Sequence, residues 1–270
     1  MILQKTIELI NQKLFGNLKS EVKISQVVIG IGYTGVELRI QESPFLGVSY
    51  TLLDVLSNKE CSKIDFAGIL TKRRARELLE WALEPLSIKK IIGIATINAI
   101  SQFILQEYDG YNFLEGDLFR FLKIKPDTKI TFIGLIKPMI KKLSQITQNI
   151  TIIERNLEIN PFFQQFKLAN DFSELTNEEL NTNILICTGT ALINGTIENI
   201  LEAYKEKAEF IAIIGPTASM LPDALFNNGV NLVGGMFFED SKSSLRVLQE
   251  GGGTRFFKKY GRKYNLIPIT

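Results

Sequence analysis

The sequence predicts an α/β protein in two parts: an α+β part over residues 1–122, packed on a part over residues 123–270 built on a mainly parallel sheet. Two observations carry this reading. Beyond residue 123, short continuous apolar runs (KITFIGL at 129–135, ITIIE at 150–154, NILICT at 183–188, EFIAIIG at 209–215 and NLVG at 231–234) are mostly separated by helical stretches. A parallel sheet covered on both faces requires that rhythm, and it is the rhythm of a Rossmann-like half. Ahead of it, a three-strand stretch at about residues 23–52 is followed by helices, as in an α+β unit. No Gly/Ser-rich linker separates the parts, so they are expected to pack firmly together.

Each element has its local reason. The N-terminal MILQKTIELINQKLF places Leu3, Ile7, Ile10 and Leu14 on one helical face and is punctuated by Lys5, Glu8 and Lys13. It reads as a docked amphipathic helix and not as a signal peptide. In VVIGIGYTG, Gly30, Gly32 and Gly35 stand at the G-x-G-x-x-G spacing of dinucleotide sites. That fingerprint needs a helix next. The chain instead continues as VELRI, which alternates with period two, so the glycines are expected in a strand–turn–strand without a cofactor. Thr71 is placed to cap a helix with the stripe Ala75, Leu78, Leu79, Ala82 and Leu83, ended by Pro85. Residues 88–106 are apolar nearly all round, the mark of a helix buried between layers or at a domain interface.

Composition narrows the chemistry. Lys plus Arg number 31 and Asp plus Glu 29, a net charge of +2, so no global field recommends nucleic acid or an anionic membrane as partner. The basic tail TRFFKKYGRKY reads as an edge element with snorkelling lysines. No apolar stretch is expected to approach the length of a membrane span. With only Cys61 and Cys187 there is no disulfide framework, and the cytoplasm is the expected location. There is no histidine. That removes Ser-His-Asp and Cys-His nucleophile pairs and every histidine-ligated metal site. Cys187, at an apolar strand end, reads as a buried inert thiol.

In a parallel sheet, ligands bind beyond the carboxyl ends of the strands. The first strand runs into Gly134 and a helix start at Pro138, without the full glycine fingerprint. The second ends at Glu154, twenty residues after Gly134, and this acid is either a ribose acceptor or a plain charge at a strand end. Asp171 is read as the cap of a helix at about 174–180. The next strand opens into CTGTALINGT, where Thr188, Thr190, Asn194 and Thr196 are interleaved with Gly189 and Gly195. Such a loop offers hydroxyls, an amide and bare backbone N–H groups to an anion. Gly215, Pro216 and Thr217 repeat the arrangement, and Gly252 and Gly253 form a third bare segment. Three such loops predict one ligand crevice, with Asn194 and Thr196 at a helix start facing it.

The blocks GIATINAI (93–100), FIGLIKP (132–138), CTGTALINGT (187–196), GPTASMLP (215–222) and EGGGT (250–254) resemble those of the heavy-metal chelation family of bacteria and archaea. The resemblance implies an enolase-N-terminal-like domain on a Rossmann-like domain. It also implies a cleft between them, to which Asn98 contributes. Soft metals prefer thiolate, thioether and imidazole ligands, so a metal here is held by carboxylates and carbonyls or arrives already complexed. Three readings stay open: a binding protein for a metal or metal chelate, an S-adenosylmethionine- or nucleotide-dependent enzyme using Glu154, and an interaction module. No catalytic acid–base pair can be named. The partner expected is a small molecule or metal complex, with a homodimer open.

Overall fold

The computed structural model describes residues 1–16, 21–52, 64–115, 118–155 and 161–269. The N-terminal strands β1 (Val22–Ile29), β2 (Tyr33–Ile40) and β3 (Ser43–Tyr50) form an antiparallel sheet in that order. β2 buries Val36, Leu38 and Ile40, while Arg39 is exposed. That alternation makes the glycine run a hairpin. Ile29 pairs with Thr34, and the Gly30 N–H closes the turn on Tyr33 O at 3.2 Å. No helix follows Gly35, so a helix-borne pyrophosphate site is not built there.

Helix α1 (Ile2–Ile10) buries the expected stripe and continues as a π turn, Asn11–Phe15. Thr71 does not cap the next helix. It sits in a separate 3-10 turn, Leu70–Lys72, and extended Arg73 and Arg74 intervene before α2 (Ala75–Glu80). Helix α3 (Ile88–Glu107) begins at Ser87, whose hydroxyl accepts from the Lys90 N–H. It is the one described helix long and apolar enough to cross a membrane, contrary to expectation, yet 89% of that window is buried inside the fold. β2 and β3 cover one side of it, where Gly47 is required: a Cβ there would stand 2.1 Å from Ala95 O and 2.2 Å from Ala99 N.

The second sheet has eight strands: β4 (Asn112–Phe113), β5 (Ile130–Ile133), β6 (Ile150–Ile153), β7 (Lys167–Ala169), β8 (Thr182–Thr188), β9 (Ala208–Ile214), β10 (Leu232–Phe238) and β11 (Gly261–Ile267). Their order is β4-β11-β10-β9-β8-β5-β6-β7. β5 to β10 pair in parallel, while β11 runs antiparallel to both of its neighbours, β10 and β4. The fold is therefore a mixed α/β structure with a large, mostly parallel sheet. Along the chain the parallel strands build outward on one side from β5 to β7, then restart beside β5 with β8. β4 joins this sheet from residues ahead of 122. The basic tail is helix and 3-10 turn up to Tyr260, and only from Gly261 does it enter β11, which lies between β10 and β4 and so is not the edge element expected.

The other helices are α4 (Leu118–Phe121), α5 (Lys137–Leu143), α6 (Thr190–Asn194), α7 (Ile197–Tyr204), α8 (Asp223–Phe226), α9 (Ser241–Gln249) and α10 (Thr254–Phe257). The helix expected at 174–180 is absent. Asp171 instead caps a 3-10 turn, Phe172–Glu174, accepting from the Ser173 N–H. One apolar core runs unbroken from Val36 and Leu38 through Ile91, Ile94 and Ile97 of α3 to Leu185, Cys187 and Leu192. A second lies between β5, β6, β8 and α5, and a third joins Val28 and Val48 to Phe238, Leu248 and Phe257. α3 thus ties the small sheet to the large one.

Candidate functional site

The direction of strand addition reverses between β5 and β8, and the carboxyl ends at such a reversal are where a sheet of this kind takes its ligands. Gly134 ends β5 with φ +96°, and a Cβ there would lie 2.6 Å from Thr188 Cγ2. Only glycine lets the two loops approach this closely. Glu154, at the end of β6, accepts from the Leu135 N–H at 3.0 Å and so pins the first loop. This is a structural use of one of its oxygens, at a position the sequence left open between a ribose acceptor and a plain charge at a strand end.

Past β8, the Thr188 and Thr190 hydroxyls stand 3.0 Å apart, both half-buried. The Gly189 N–H donates to Ile214 O, and a Cβ on Gly189 would meet Ala218 N at 2.7 Å. Gly215 ends β9 at φ +122°, ψ 166°, a conformation restricted essentially to glycine. Nothing lies within 4 Å of where its Cβ would be. Thr217 is buried, and its hydroxyl accepts from the Tyr50 N–H at 3.0 Å, so the end of β3 reaches the rim. Tyr50 meets Tyr33 edge-on, with centroids 5.5 Å apart. The Thr254 hydroxyl donates to Tyr33 Oη at 3.0 Å, and Gly253 lies against the Tyr33 ring. Burial raises the Tyr33 phenol above its ordinary pKa, against the Thr254 hydrogen bond.

The structure therefore places Gly134, Glu154, Thr188, Gly189, Thr190, Gly215, Pro216 and Thr217 around the carboxyl ends of the strands, with Gly253 joined to them through Tyr33, while Gly252 faces Val247 and Phe256. Two expectations are corrected. Asn98 is fully buried: its Nδ2 donates to Val48 O at 2.8 Å and Thr217 O at 2.9 Å, with Pro216 O at 3.4 Å. It holds the rim from beneath and lines no open cleft. Asn194, Gly195 and Thr196 belong to the far end of α6, which carries them roughly 7 Å along its axis from Thr190. Asn194 and Gly195 are exposed, and Gly195 is the left-handed cap (φ 68°) beside Lys90 Nζ. Thr196 does precede a helix, α7, but its side chain makes no cap bond.

Tyr33 and Tyr50 were missed. Their only sequence signal is position at the ends of two strands, and their pairing appears in the register of β2 on β3. A wide open depression lies at the opposite end of the sheet, lined by Lys129, Gln148, Asn149 and Asn181. It meets the amino ends of the strands.

The donor set for a bare metal ion is poor. Among the described residues, no three Cys, Asp or Glu side chains gather to hold one. Cys187 is fully buried, and burial pushes its thiol up to about 12, far from the thiolate a soft metal needs. Cys61 lies outside the described residues.

A family model described as "Putative heavy-metal chelation" matches residues 117–267, and a second with the same description matches residues 12–101. An uncharacterized protein of Methanocaldococcus jannaschii is 23% identical over 267 residues, covering 98% of this chain and 96% of its own length. A protein of unknown function from Pyrococcus horikoshii, solved as a crystal structure, superposes with a TM-score of 0.74 at 23% identity, covering 98% of both chains. One from Desulfitobacterium hafniense gives 0.72 at 17% identity, also covering 98% of both. Both are DUF364 proteins, and at these identities the likeness is one of fold. With more than half of its length matched, from ahead of Gly134 to beyond Thr254, the chain belongs to the DUF364 family, described as putative heavy-metal chelation.

Proposed function

We propose that the protein binds a small oxygen-rich anion, and specifically a metal chelate, in the crevice beyond the carboxyl ends of β5, β8 and β9. One observation carries the reading: the Thr188–Thr190 hydroxyl pair and the backbones of Gly134, Gly189 and Gly215 converge where the strand order switches. The N–H groups of Gly134, Gly189 and Gly215 already donate to the carbonyls of Ile153, Ile214 and Gly234. The hydroxyls are therefore the groups that suit the outer oxygens of a ligand, and the glycines supply close approach. The family description supports metal as cargo, while the side chains on hand do not fit a bare soft ion. Both are met if the metal arrives already wrapped by an organic ligand. The strand order supports a Rossmann-like unit, on which an enolase-N-terminal-like unit over residues 1–122 supplies the second wall of the cleft.

A second reading, S-adenosylmethionine or a nucleotide, is favoured by one feature, the acid Glu154 after the second parallel strand. Its engagement with Leu135 weakens that reading. A thermal-shift panel separates the two. A ligand at a hundred times its dissociation constant stabilises the native state by about 2.7 kcal/mol, which at ~2–4 °C per kcal/mol is readily measured. The expected result is stabilisation by zinc citrate, lost in Thr190→Val, with little shift from bare zinc. Stabilisation by S-adenosylmethionine alone, lost in Glu154→Ala, would replace the first reading with the second.

A further inference from the structure

We infer that the protein docks on the surface of an anionic lipid bilayer, through a small face made by the β1–β2 turn and the start of the basic tail. This face is independent of the proposed ligand site. Ile31, in the turn, is 66% exposed, and Phe256, on α10, is 55% exposed. Both flank the glycine run ahead of α10. A Cβ on Gly251 would stand 3.6 Å from Ile31 Cδ1, and one on Gly252 would stand 3.6 Å from Phe256 Cδ2. Two large apolar side chains therefore lie side by side over bare backbone, while their chain neighbours Val28 and Phe257 take the places in the core. The charges on the tail around them have one sign. Arg255, Lys258 and Lys259 are exposed, and among the described residues no carboxylate lies within ion-pair distance of them. Ahead of them in the chain, Glu250 is paired with Arg246 at 3.0 Å and Glu239 with Arg262 at 3.5 Å. No acid follows in residues 251–270. A net charge of +2 sets no global field, so this concentration of cations is local. A nucleic-acid backbone or an acidic peptide would answer the cations but leave the aliphatic Ile31 in water. An anionic bilayer takes both halves, with the apolar side chains below the headgroups and Lys and Arg among the phosphates.

Co-sedimentation of the full chain with large unilamellar vesicles tests this, using phosphatidylcholine alone and an equal mixture with phosphatidylglycerol. A single-stranded oligonucleotide titration and equilibrium sedimentation of the protein run alongside. The expected result is binding to the mixed vesicles and little to phosphatidylcholine, weakening as salt is raised. Lys258→Gln combined with Lys259→Gln should bind about 25-fold more weakly, at about five-fold per cation. Phe256→Ser and Ile31→Ser should each weaken binding by about ten-fold. All four side chains are exposed, so unchanged thermal midpoints should show that the variants keep the fold. Sedimentation with neither vesicle, or equally with both, would overturn the inference. Binding to the mixed vesicles that Phe256→Ser and Ile31→Ser leave unchanged would overturn this face as the docking surface. Oligonucleotide binding without vesicle binding would give the cations to nucleic acid instead. A dimer that Phe256→Ser dissolves, without vesicle binding, would give the face to a second copy of the chain.

Discussion

The Asn98 amide faces three carbonyls, those of Val48, Pro216 and Thr217, in a site with no exposure to solvent. Replacing it by Ala strands those acceptors and should cost about 3 kcal/mol, since each buried polar group left unpaired costs roughly 1–3 kcal/mol. Asn98→Asp should cost more, because a carboxylate there meets only acceptors. Urea unfolding of the two variants checks the order, and an Asp variant as stable as wild type would contradict it. Lys90 behaves oppositely. It is half-buried, and burial lowers its pKa below 10.5 against the opposing pull of Glu198. Its charge is thus disfavoured in the folded state, so below the folded pKa it destabilises. As pH rises through that folded value the unfolded chain binds more protons, and the penalty fades. Lys90→Met should therefore raise the unfolding midpoint at pH 7, with the gain shrinking towards pH 10.5. A gain that grew with pH would contradict the assignment.

At the scale of elements, α3 is the pivot. Gln102 joins the two sheets through one side chain, its amide donating to Leu46 O of β3 and its oxygen accepting from the Phe238 N–H of β10 at 3.1 Å. The close approach at Gly47 makes this possible. Gly47→Ala should destabilise by about 3 kcal/mol or more, since its Cβ would meet backbone that cannot turn aside. Gly215→Ala has open space, so it should suffer only the strain of positive φ, of order 1–3 kcal/mol. Thermal unfolding of both variants reads the difference, and a Gly47→Ala protein as stable as Gly215→Ala would refute the packing argument. Strands were legible wherever an apolar run was continuous, as in β5, β6, β8 and β9. β7 has three residues and β4 two, too short for any period. β11 is broken by Arg262, Lys263 and Asn265, so its pairing on β10 comes from register and not from hydrophobicity. The helix placed at 174–180 failed because Asp171 closes a tight 3-10 turn instead of starting an α-helix.

At the scale of the molecule, the proposed site was legible in halves. The loops after β5, β8 and β9 follow from one rule about the carboxyl ends of parallel strands, and glycine and threonine mark them in the sequence. Tyr50 was not legible, because its link to Thr217 joins residues 167 apart and depends on how α3 seats one sheet on the other. Asn194 to Thr196 misled for a local reason: one helical turn, α6, separates them from the threonines they follow. The proposed role of the whole chain is then to hold an oxygen-wrapped metal without ligating it through its own side chains. Anomalous diffraction at the zinc edge, from crystals equilibrated with zinc citrate, tests this most directly. The peak is expected beyond the ends of β5 and β8, beside Thr190 and Gly215, with citrate oxygens between metal and protein. A zinc ion bound directly by protein side chains, at Cys187 or elsewhere, with the switch-point crevice empty, would contradict it.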